Sequence, residues 1–227
     1  MNSTIQAIGW LASFTTAILG IPMVVNTYKN REIKSASIIS WWIYFIGVFL
    51  YLIVGWQSKT DQIVITELFN GIITFLFVIL FSFYLKSRKI SKEFKFANIV
   101  FSLAMITTII AIVILHFAGV TITIPDAGAE VLSILAASFI NFAFLPQTII
   151  VIKQKKLIHM PFFFVHDLTL LNILWLVFLG ANIDLPGFKA LLALQVLGLL
   201  ISLVQGVFYY IQVFDKKLNP SRKIVWI

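Results

Sequence analysis

The chain has no cysteine among its 227 residues, which excludes disulfides, thiolate metal sites and cysteine nucleophiles at once. Charge is nearly as scarce. Only 11% of the residues are charged and nine are acidic, too few to solvate the surface of a soluble domain. There is no phosphate-cradling glycine loop, no His-Glu-x-x-His pair and no Ser/His/Asp grouping confined to one membrane face. Enzymatic chemistry is therefore not expected, and neither a metal nor a cofactor is implied.

What is present is 60% hydrophobic, with a mean hydropathy of +1.01, so the lipid bilayer is the expected partner for most of the surface. The net charge of +8 does not point to nucleic acid, because the basic residues sit between apolar runs rather than along one helix or an aromatic-interleaved patch. Lysine outnumbers arginine and Ile, Phe and Asn are frequent, a composition that makes a bacterial plasma membrane the expected location. Met1 to Asn26 has no positive leading region and no small-residue cleavage site, so it reads as a retained first helix.

A hydrocarbon core of about 30 Å takes roughly 20 apolar helical residues. Seven stretches meet that length: Ile5 to Val25, Ser37 to Trp56, Ile63 to Leu85, Ala97 to Phe117, Ala129 to Ile152, Pro161 to Ala181 and Phe188 to Phe214. Period-two alternation is absent from them, so helices rather than a barrel are predicted. The loops after the first, third and fifth spans, with the tail, hold fifteen of the 17 Lys and Arg residues, leaving Lys59 and Lys189 for the other side. By the positive-inside rule the amino terminus is outside and the carboxyl terminus cytoplasmic.

Shifting the chain by 124 residues lays Pro22 on Pro146, Lys29 on Lys153 and Tyr51 on Trp175. After one inserted residue Gly55 falls on Gly180 and Asn70 on Gln195. The chain thus divides into a first three-helix repeat (1–90), a linker helix (91–124), a second three-helix repeat (125–217) and a cytoplasmic tail (218–227). An odd linker keeps the two halves parallel, and a cavity between them is the expected place for a ligand.

Leu145-Pro146-Gln147, the basic loop after it, Leu174-Trp175-Leu176 ending in Gly180, and Asp184-Leu185-Pro186 resemble the PQ-loop and SWEET superfamily. The first half is similar through Gly20-Ile21-Pro22, Leu50-Tyr51, Gly55, Asp61 and Asn70, but Met23 stands where the motif has glutamine. The resemblance covers essentially the whole chain. It implies an all-α membrane protein of seven helices, built as two parallel three-helix repeats joined by a linker, that carries a small polar solute such as a sugar or amino acid by alternating access. A receptor that shares the fold and binds a peptide or metabolite without moving it is the alternative, and passive scaffolding a third reading. A homo-oligomer is left open.

The residues that could do this work are few. Pro22 and Pro146 each remove a helical hydrogen bond, so each is a hinge or a static bend, with Gln147 placed to bond a freed carbonyl. Asn70 and Gln195 carry amides into the membrane, where they meet either a solute or a neighbouring helix. Tyr51 and Trp175 suit the apolar face of a solute or an interfacial anchor. Ser138 and Asn141 share one face of the fifth span, either for solute or for interhelical bonding. Asp167, beside His166, lies about 9 Å into the sixth span by helical rise and is the proton-coupling candidate. Glu67 shares a face with Asn70 near the outer end, and His116, Asp126 and Glu130 read as solvated.

Overall fold

The computed structural model describes residues 3–31, 36–84, 91–184, 188–221 and 223–227. Lys34, Leu85, Lys86, Arg88, Lys89, Leu185, Pro186 and Arg222, which entered the span, charge and motif readings, lie outside the described residues. All regular structure among the described residues is helical: α1 (Ser3–Ile18), α2 (Ile21–Asn30), α3 (Ile38–Gln57), α4 (Asp61–Tyr84), α5 (Lys92–Phe117), α6 (Asp126–Phe142), α7 (Leu145–Lys153), α8 (Phe162–Ala181) and α9 (Phe188–Phe214), with a 3₁₀ turn at Leu157–His159. They amount to seven helical segments long and apolar enough to cross a membrane, since α1 with α2 and α6 with α7 form single spans. This is compatible with an integral membrane protein. The fourth and fifth spans run longer than the hydropathy bounds, covering Lys92–Phe117 and Asp126–Lys153, because helical hydrogen bonding continues into the polar ends.

Both interrupted spans break in the same way. At the end of α1 the Leu19 N–H turns back to Thr16 O, and α2 restarts with Val24 N–H on Gly20 O. At the end of α6 the Ala143 N–H turns back to Ile140 O, and α7 restarts with Thr148 N–H on Phe144 O. Pro22 and Pro146 each lie in the first turn of the restarted helix, where a missing N–H costs nothing because it would have no partner there. Gly20 lets α2 approach α4 closely, since a β-carbon there would run into Ile73. After both α2 and α7 the chain leaves through a left-handed residue, Arg31 (φ 51°) and Lys155 (φ 54°).

α3 packs on α4 and α6, α8 on α9 and α1, α4 also on α1, α2 and α5, and α9 also on α6 and α7. Two smaller contacts join α2 to α8 and α3 to α7, while α5 touches only α3 and α4 among these major pairings. Large apolar side chains such as Phe14, Phe83, Phe101 and Ile114 point outward and exposed, the arrangement lipid solvates and water does not. The inner core is aromatic: Trp41 stacks on Phe77 at 4.1 Å and meets Phe144 edge-on at 5.6 Å, and Phe144 meets Phe164 edge-on at 5.3 Å. All four rings are buried.

The carboxyl-terminal segment, read from sequence as a tail, folds back instead. Asn219 pins the turn by donating to Val213 O and Lys223 O and accepting from Lys223 N–H. Val225 O and Trp226 O then accept the Phe162 and Phe163 N–H groups, two of the orphan donors at the start of α8. Trp226 packs over Phe162 with ring centroids 4.9 Å apart. The physical reason is that the free N–H groups of a helix start need acceptors, and an apolar Ile-Val-Trp-Ile end has reason to leave water.

Candidate functional site

One face of α4 changes character along its length. Glu67, Asn70 and Thr74 occupy it toward the Asp61 end, and Phe77 and Phe81 continue it toward Tyr84; all five are buried. The polar part is organised by α3. Tyr44 donates its hydroxyl to Asn70 Oδ1 at 3.1 Å, and Asn70 Nδ2 donates to Glu67 Oε2 at 3.3 Å. Glu67, expected at the water-exposed end, is 5% exposed; the helix starts at Asp61, which puts Glu67 about 9 Å down its axis. Tyr51, two turns along α3 from Tyr44, is half-buried and lies in electrostatic reach of Glu67.

Gln195 has its own partner in the second half. Its Nε2 donates to Asn172 Oδ1 at 2.5 Å, and Asn172 Nδ2 donates to Leu168 O at 2.6 Å. Asn141 Nδ2 is spent on Ala137 O at 2.9 Å and Ser138 Oγ on Ile134 O at 2.8 Å, each one turn back on α6. The Oδ1 atoms of Asn141 and Asn172 both crowd Gly198 of α9, where a β-carbon would overlap them. Asn70 and Gln195 thus sit at matching places in their spans, but each is bonded inside its own half.

Side chains that cross between the halves lie at other positions. Trp175 Nε1 donates to Thr16 Oγ1 at 2.9 Å, joining α8 to α1, and its ring is half-buried. Gln147 joins α7 to the start of α3: its N–H donates to Ser40 Oγ at 3.0 Å and its Oε1 accepts the Ser37 N–H at 3.3 Å. The expectation that Gln147 bonds a carbonyl freed by Pro146 is replaced by this contact; its Nε2 is buried and has no partner among the described residues.

Asp167 and Trp175 are two turns apart on one face of α8, the face turned to the first half. Asp167 makes no hydrogen bond or ion pair among the described residues, and it lies in electrostatic reach of the Tyr44 hydroxyl. His166 points elsewhere. It stacks on Phe162 at 3.7 Å, with Nδ1 on Phe162 O and Nε2 on Tyr210 OH at 2.6 Å, so the neighbours in sequence are not partners in space. His116, expected in solvent, pairs instead with Asp61 at 2.7 Å and ties α5 to α4.

Tyr44, Asn172 and Thr16 were not singled out from sequence. Asn172 carried the same signal as Asn70, an amide in the middle of an apolar span. Tyr44 and Thr16 carried none, since hydroxyls are common in spans and their partners lie 26 and 159 residues away. No protein-family model matches this chain, and no curated protein matches it.

Proposed function

We propose that the chain is a membrane transporter for a small polar solute, a sugar or amino acid, working by alternating access between two parallel three-helix repeats. The observation that carries this reading is the pairing of helices. Exchanging the first three spans for the last three turns α1–α8 into α6–α3, α1–α4 into α6–α9, α3–α4 into α8–α9, and α2–α8 into α7–α3, and every one of these contacts is present. The left-handed residues Arg31 and Lys155 stand the same 124 positions apart as Pro22 and Pro146. α5 stands outside the exchange as the linker. These features support membership of the PQ-loop and SWEET superfamily, with the basic-loop side cytoplasmic.

In this reading the breaks at Pro22 and Pro146 are the hinges. The Gln147–Ser40 contact and the Trp41, Phe77, Phe144 and Phe164 rings close the basic-loop side, and Asn70, Tyr51, Gln195, Asn141, Ser138 and Trp175 surround the solute. Counterflow in proteoliposomes with a panel of sugars, amino acids and nucleosides tests it; a folded sample that exchanges none of them overturns it. A receptor that binds without translocating is the second reading, favoured by Asn70 and Gln195 each being satisfied within one half. Saturable binding with no counterflow would select it.

Asp167 is the proposed site of proton coupling, since it faces the other half and has no protein partner there among the described residues. Asp167→Asn is expected to flatten the pH dependence of uptake, and an unchanged pH profile removes the role.

A further inference from the structure

The helices that restart at Pro22 and at Pro146 are tied into the molecule in different ways. α7 is held by directional bonds at both ends. At its start Thr148 Oγ1 donates to Gln205 Oε1 of α9 at 2.8 Å, with both residues buried, and Gln147 makes its two bonds to the start of α3. At its end Ile152 O accepts Gln212 Nε2 at 3.4 Å, and the same side chain takes the Leu157 N–H on its Oε1 at 3.0 Å. Gln205 and Gln212 lie two turns apart on one face of α9, and Gln205 Nε2 reaches on to Met160 Sδ at 3.6 Å. The chain that follows α9 is bonded in turn to the first N–H groups of α8. α7, the 3₁₀ turn, the start of α8 and the end of α9 are thus one hydrogen-bonded block.

α2 is built from other residues at the equivalent places. The 124-residue shift puts Met23 where Gln147 stands and Val24 where Thr148 stands, and the register that lays Asn70 on Gln195 puts Leu80 where Gln205 stands. Each of the three is apolar, so the bonds that fix α7 have no chemical counterpart around α2. Asn30 Nδ2 donates to Asn26 Oδ1 within the helix, and Asn26 Nδ2 reaches His159 O at 3.5 Å, the outer limit of a hydrogen bond. On α4 the helix rests through packing, with Gly20 close against Ile73 and Met23 buried. Apolar packing resists separation but lets one helix slide over another, whereas bonds between helices fix their register.

We infer that the two proline breaks are unequal hinges: α2 swings at Pro22 past the start of α8, while α7 stays fixed in its block with α9 and the start of α3. This deepens the transport reading and rests on it only for what the movement serves. The seam between α2 and α8 then opens the basic-loop side, and the Gln147–Ser40 contact stays closed as it does so.

Hydrogen–deuterium exchange of the full chain in detergent tests this without any solute. After correction for intrinsic rates, the amides of residues 24–30 are expected to be about tenfold or more less protected than those of 148–153, the scale of one or two net hydrogen bonds. Exposure alone does not predict such a difference, because buried and exposed residues are mixed alike in both segments. Equal protection, or stronger protection of α2, overturns the inference. Combining Gln147→Met, Thr148→Val and Gln205→Leu gives α7 the first half's side chains and is expected to raise its exchange about tenfold while α2 is unchanged; a variant whose α7 remains as protected as before also overturns it. The comparison within the unaltered chain holds however that variant folds. Unequal protection in a chain that shows no counterflow defeats the transport reading alone, whereas equal protection in a chain that does show it defeats this inference alone.

Discussion

At Gly198 the absence of a side chain leaves space that the carboxamides of Asn141 and Asn172 share. The contact is tight enough that a single methyl group has consequences. Gly198→Ala is expected to push both amides out of place and break the Gln195–Asn172 bond, at a cost of about 1–3 kcal/mol typical of overpacking. Thermal unfolding in detergent reads this as a lowered melting temperature, and an unchanged one would mean that α9 can shift without loss. Gln147 shows a different balance. Its Oε1 and N–H are used while its Nε2 is not, so the residue is held by what it accepts and by its backbone. Met23, its counterpart in the first half, is buried without any such bond. The two helices that restart at proline therefore differ in side-chain chemistry at this position.

Among the elements, the interrupted spans and the folded-back end are the informative ones. Proline in the first turn of α2 and of α7 lacks an N–H where that group would have no helical partner, so a break within each of these two apolar spans costs little. Their positions were legible because proline acts on the backbone locally. The behaviour of residues 223–227 was not, since nothing in the apolar end itself names the start of α8 as its partner. Deleting 220–227 is expected to free the Phe162 and Phe163 N–H groups and remove the Trp226 packing, lowering stability by about 1–2 kcal/mol, as loss of a helix cap does. Comparing melting temperatures of the full and shortened chains checks this. A shortened chain as stable as the full one would show the segment to be a passenger.

For the whole molecule the first question is which way it faces. A chain free of cysteine is a ready background for single-cysteine labelling. With the basic loops cytoplasmic, Lys59→Cys is expected to react with an impermeant maleimide on intact cells, and Lys155→Cys only after the membrane is opened. The reverse pattern would invert the orientation. The aromatic cluster also belongs to this scale. Trp41, Phe77, Phe144 and Phe164 come from α3, α4, the α6–α7 break and α8, so under the proposed alternating access no one element would open this cluster by itself. The pairings of α1 with α8 and of α3 with α6, on which the proposed repeat rests, come from residues far apart in the chain.

The number of spans, the places where two of them break and the unequal distribution of basic residues were determined by the sequence alone, because each depends on quantities summed or acting along the chain: apolar length, loop charge and a proline ring. Which polar groups meet was decided only by tertiary structure. Tyr44 with Asn70, Gln195 with Asn172 and Trp175 with Thr16 are pairings across 26, 23 and 159 residues, set by how helices are rotated and spaced against one another. A hydropathy pattern, nearly the same for any rotation of a helix apolar on all sides, does not encode that.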